Sequence, residues 1–146
     1  MIWLDPSEHS EQEYIELRLY APYYEKIVLD FNPLKMSYEP DWNPAGDDWH
    51  CYASPLRIYQ QDYELLLDYF NNIFPTKDAL DGTIEPVFDV CSIYWIGKED
   101  WLKMISEIEQ DMESFPCDKK SFFTGFIEWL EEALNHTSII VVEGNL

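Results

Sequence analysis

A chain of 146 residues and 17.4 kDa that is 47% hydrophobic has material for one domain with a real core, which excludes disorder for the bulk of it. It sets 29 acidic residues against 9 basic ones, a net charge of -20 shared by every third of the chain, and this excludes direct binding to nucleic acid or to an anionic membrane. Three cysteines with no CxxC pair speak against a disulfide framework and for a reducing cytoplasm; no secretory signal and no apolar run long enough to span a bilayer is expected.

Residues 14–20 alternate, with Ile15, Leu17 and Leu19 on one side, and predict a half-buried strand. After Pro22, residues 23–31 read as a second strand, paired with the first as a hairpin. Residues 32–55 hold Pro33, Pro40, Pro44, Gly46 and Pro55 with few aliphatics, and read as a long loop of the kind that carries function. Tyr63, Leu66, Leu67, Phe70 and Phe74 recur at helical spacing over 59–74, with Pro75 as the stop. Asp81-Gly82 marks a turn. Residues 85–96 are rich in β-branched and aromatic side chains and predict a strand central to the sheet in part.

Two further helices follow. Trp101, Ile105, Ile108 and Met112 stripe residues 98–113, and Phe123, Phe126, Ile127, Leu130 and Leu134 stripe 119–135. The apolar run in 137–143 is that of an interior strand. The expected fold is a single α+β domain over 1–146: a mixed β-sheet of about four to six strands with three main helices packed mostly on one face. An α/β arrangement is the alternative.

Several chemistries are missing from this pattern. Five dispersed glycines make neither a dinucleotide fingerprint nor a phosphate loop, and there is no GxSxG elbow. Cys91, placed within the predicted strand 85–96, reads as a buried structural thiol. Asp47-Asp48-Trp49-His50-Cys51 gathers oxygen, nitrogen and sulfur donors. Neighbours on an extended loop point apart, though, so neither a metal site nor a Cys-His pair is favoured there. No metal or other cofactor is expected, and no catalytic residue is assigned. A small metal-dependent hydrolase built on residues 47–51 is the enzymatic alternative.

What the sequence does contain is acid interleaved with aromatic side chains, which make up 16% of the chain. Trp42 and Trp49 lie outside the helical stripes, in a loop that also carries Glu39, Asp41, Asp47 and Asp48. They either tuck the loop onto the domain or serve as partner anchors ringed by carboxylates that would meet arginine and lysine. In the helix 98–113, Glu107 and Asp111 stand at i,i+4 spacing, as do Glu109 and Glu113. Such like-charge pairs cost a few tenths of a kcal/mol each, and acids late in a helix oppose its dipole. A net charge retained at that cost suits capture of something strongly basic. The candidate partner-binding residues are therefore Glu39, Asp41, Trp42, Asp47, Asp48, Trp49, Glu107 and Asp111.

The run Tyr94-Trp95-Ile96-Gly97-Lys98-Glu99-Asp100-Trp101, then Phe126-Ile127-Glu128-Trp129-Leu130, then Ile140-Val141-Val142-Glu143-Gly144-Asn145-Leu146 resembles the bacterial immunity proteins of polymorphic-toxin systems. Those of contact-dependent growth inhibition are the nearest comparison. The resemblance covers residues 85–146 and lies in style, since these proteins share neither one fold nor a signature motif. It implies a cytoplasmic, non-enzymatic protein that binds and neutralises one cognate basic toxin domain, typically a nuclease, inside the producing cell. The alternative is an acidic adaptor or nucleic-acid mimic that engages a host nucleic-acid-binding protein. Self-repulsion at this charge favours a monomer.

Overall fold

A computed structural model of the chain describes residues 2–36, 40, 42 and 49–146, apart from the side chains of Pro6 and His9. Five strands form one mixed sheet: β1 (Ile15–Leu17), β2 (Val28–Pro33), β3 (Leu56–Tyr59), β6 (Ile93–Gly97) and β7 (Ile139–Gly144), in the order β1-β3-β2-β7-β6. Only β1 and β3 run parallel; the other neighbours are antiparallel. A separate two-stranded hairpin joins β4 (Thr76–Lys77) and β5 (Ile84–Glu85). Its loop turns at Gly82, whose φ of 77° is a left-handed conformation that glycine adopts without a Cβ penalty.

The helical layer begins with α1 (Gln60–Tyr63), which passes through a 3-10 turn at Glu64–Leu66 into α2 (Leu67–Ile73). It continues with α3 (Lys98–Asp111) and α4 (Cys117–Leu134). All the predicted helices are present. Their buried stripes meet Leu29, Phe31, Leu56, Ile58, Tyr94, Ile96, Ile140 and Val142, so the main core lies between the helices and one face of the sheet. The period of two along the strands produces this division, since successive side chains point to opposite faces. Phe31 sits at the centre, with the rings of Phe70, Trp101, Phe126 and Trp129 all within 6.4 Å. The Trp101 indole donates to the Ile96 carbonyl at 3.0 Å, which satisfies its one polar atom in the core.

Three expectations need correction. The first two strands do not form a hairpin, because β3 lies between them and pairs with both. The strand expected over 85–96 is really β5 and β6 joined by an irregular stretch, and β6 is the sheet's edge. Cys91 falls in that stretch and is exposed, not a buried strand thiol. The path there is dictated by close approach: a Cβ on Gly144 would lie 1.8 Å from the Val90 carbonyl oxygen, so the 86–92 segment crosses β7 where only glycine fits. The α/β alternative is not what the chain adopts, since β6 and β7 run antiparallel.

Candidate functional site

The helix-free face of the sheet is polar along one row. Cross-strand register brings Glu16, Arg57, Asp30 and Glu143 side by side from β1, β3, β2 and β7. Arg57 grips Asp30 with two bonds of 2.8 Å each and lies 4.2 Å over the Tyr14 ring. That bidentate bond to Asp30 pushes the guanidinium pKa higher still, so its charge is fixed. Burial, aided by the Asp30 carboxylate, pushes the Tyr14 hydroxyl up. Asn32 is fully buried on the same face, beside the Tyr14 hydroxyl. His50 stands 3.7 Å from Glu143.

One row further along, this face turns apolar. Trp42 and Trp49 are half-buried and pack, with Trp95, against Leu34, Ile139 and Val141. The Trp49 and Trp95 rings are 5.6 Å apart. Both candidate tryptophans are therefore held against the sheet, with part of each ring left outward. Glu39, Asp41, Asp47 and Asp48 lie outside the described residues. Cys51 is buried, and no group of three or more metal-ligating side chains is assembled among the described residues.

Glu107 and Asp111 sit together on the flank of α3 that faces α2. Asp111 accepts a 2.7 Å hydrogen bond from the buried Tyr69 hydroxyl. Burial first, and that bond second, push the Tyr69 hydroxyl well above its ordinary range. The exposed Cys91 thiol is also raised, by its hydrogen bond to Asp89, which moves it away from the reactive thiolate. The end of α3, the 3-10 turn that follows it at Met112–Ser114 and the middle of α4 line an open groove of about 350 Å³, with Met112, Ile127, Glu109, Glu128 and Glu131 among its walls.

A feature not foreseen from the sequence lies at 20–24. Tyr23, Tyr24 and Tyr20 are 91%, 68% and 54% exposed, the most exposed aromatic side chains among the described residues. They sit on a turn held from beneath by Asp62, which is fully buried in α1. Its carboxylate accepts the backbone N–H groups of Leu19 at 2.8 Å, Tyr20 at 2.6 Å and Ala21 at 3.4 Å. The Pro22 carbonyl accepts from the Glu25 N–H at 3.0 Å and from the Arg18 guanidinium at 3.3 Å. A predicted strand over 23–31 hid this turn, although Pro22 followed by two tyrosines without alternation was the signal available.

Among the described residues, Arg18 and Arg57 are the only lysine or arginine side chains paired with carboxylates, Arg18 with Glu16 at 3.6 Å. Lys103 instead donates to the Asn72 carbonyl, and Lys119 lies over the Phe115 ring. No helix among the described residues is long and apolar enough to cross a membrane. Comparison with known proteins finds no matching family model, no similar curated protein and no similar solved structure.

Proposed function

We propose that the chain is an immunity protein that binds one cognate basic toxin domain, a nuclease by preference, in the cytoplasm of the producing cell and neutralises it without doing chemistry itself. The observation that carries this reading is the unneutralised charge: -20 overall, with two arginines paired to carboxylates among the described residues. Carboxylates that are not used to hold the fold together are free to act outward, where their summed field accelerates encounter with a basic surface. A nuclease carries such a surface because it must hold a polyanion. Blocking it needs fast capture, which the field supplies, and slow release, which desolvated aromatic anchors supply.

Co-expression with the protein encoded by the adjacent upstream gene tests this. The expected result is a stable complex that abolishes the toxin's activity, with an association rate falling about tenfold or more from low to near-molar salt. No complex, or comparable affinity for several unrelated basic proteins, would count against it. The second outcome would point to the adaptor reading instead.

A further inference from the structure

The geometry points to the Tyr20-Tyr23-Tyr24 turn as the anchor that receives arginine side chains from a basic protein partner, an inference that rests on the function proposed above and names the surface it uses. The turn presents the most exposed aromatic rings among the described residues, so it has area to bury. It is also rigid. Three N–H groups are clamped by Asp62, and the turn is closed by the Glu25–Pro22 bond. Glu25 is itself fixed by accepting from Lys26, Ile27 and the Gln61 side chain. Little order is left to be lost on binding, which is what separates an anchor from a merely exposed loop. Tyr23 and Tyr24 meet edge to face, 5.5 Å apart, leaving π-faces open to a planar cation.

The occupant follows from charge. Glu16 and Glu25 flank the turn and Glu64, directly after Tyr63, is exposed; the cations beside them are Arg18, already paired with Glu16, and Lys26, in a molecule of net charge -20. The molecule already contains a template for the contact beside it. Arg18 lies 3.9 Å over the Tyr59 ring while paired with Glu16, a guanidinium held between an aromatic face and a carboxylate. An incoming arginine would meet the exposed tyrosine rings within the field of the same acidic surface, the Glu16 and Glu25 carboxylates being already bonded within the fold. Lysine is a poorer fit, because its compact, strongly hydrated ammonium stacks less well on a ring than a planar guanidinium does. A second copy of this chain is a poor fit too, since it brings the same excess of acid.

The test uses the whole chain with oligo-arginine and oligo-lysine peptides of equal length, followed by calorimetry and by the tyrosine ring resonances. The arginine peptide is expected to bind about two- to fivefold more tightly per ring engaged, with Tyr20, Tyr23 and Tyr24 shifting first. The Y23A/Y24A variant should lose that preference and bind both peptides alike, while Y23F/Y24F should retain it. These side chains lie outside the core, so the variants are expected to keep the wild-type fold, as their circular dichroism will show.

Equal binding of the two peptides by the wild type overturns the proposal. So does a preference that survives in Y23A/Y24A, or one whose shifts fall at the Glu109-Glu128-Glu131 groove. Concentration-dependent self-association abolished in Y23A/Y24A would reassign the turn to a second copy. The two readings fail separately: absence of a cognate complex sinks the function while the peptide preference stands, and absence of preference sinks the anchor while a cognate complex stands.

Discussion

Asp62 is one of 29 acidic residues, and nothing in the sequence around it marks it out. Its position in the fold does. A buried carboxylate without a cation is costly unless its oxygens are filled by donors, and here three backbone N–H groups fill them. The exchange benefits both sides, because the 19–21 backbone leaves β1 with donors that no strand takes up. Asp62→Ala removes the acceptor and orphans those donors, and should cost roughly 2–4 kcal/mol in denaturant unfolding. Amides 19–21 should also lose their protection from hydrogen exchange. Asp62→Asn keeps one acceptor oxygen but turns an NH₂ toward a donor, so it should fall between the two. If Asp62→Ala unfolds at the wild-type midpoint, the carboxylate is not what holds the turn. The same substitution should loosen the tyrosine turn and weaken binding of the proposed arginine-bearing partner without touching a single exposed ring.

At the scale of elements, long periodic segments were legible and short ones were not. The stripe of α4, Phe123, Phe126, Ile127, Leu130 and Leu134, is wholly buried, and β7 is the interior strand that its apolar run predicts. β3 escaped because Leu56-Arg57-Ile58-Tyr59 alternates over only four residues and runs straight into α1. Missing it made a hairpin of β1 and β2, since an intervening strand from later in the chain leaves no mark on local sequence. Of the candidate binding residues, Trp42 and Trp49 lie half-buried against the sheet and Glu39, Asp41, Asp47 and Asp48 lie outside the described residues, while the exposed rings at 20–24 left no periodic signal in the sequence.

Contacts between elements also set a pH dependence. Tyr69 on α2 is tied to Asp111 on α3, and burial raises the hydroxyls of Tyr14, Tyr52, Tyr59, Tyr63 and Tyr69 alike above the ordinary tyrosine value of about 10. A tyrosine whose folded pKa exceeds its unfolded one contributes stability that is complete below about pH 10 and is lost as pH rises through the folded value, because the unfolded chain gives up its proton first. Stability should therefore fall steeply above about pH 10, and tyrosinate absorbance should rise cooperatively with unfolding. Tyr69→Phe should cost about 1 kcal/mol at neutral pH and blunt the alkaline loss. Tyrosine titration that runs to completion with the fold intact would contradict the burial argument.

For the molecule as a whole, one quantity has two consequences of opposite sign. Excess negative charge repels itself in the compact state and attracts a basic partner from a distance. Screening weakens both effects, with a Debye length of about 10 Å at 0.1 M ionic strength and about 3 Å at 1 M. With few internal ion pairs to lose among the described residues, the free protein has little to forfeit when salt is added. Sodium chloride should therefore raise its melting temperature by on the order of a few degrees while slowing association with the proposed basic partner. An uncharged osmolyte separates screening from preferential exclusion, since it should stabilise the fold without slowing association to the same degree. A charge that served the fold through ion pairing would behave differently, and salt would then lower stability and association together. A melting temperature that falls along the same salt series would show that the carboxylates are engaged within the molecule, and the outward role assigned to them would go with it.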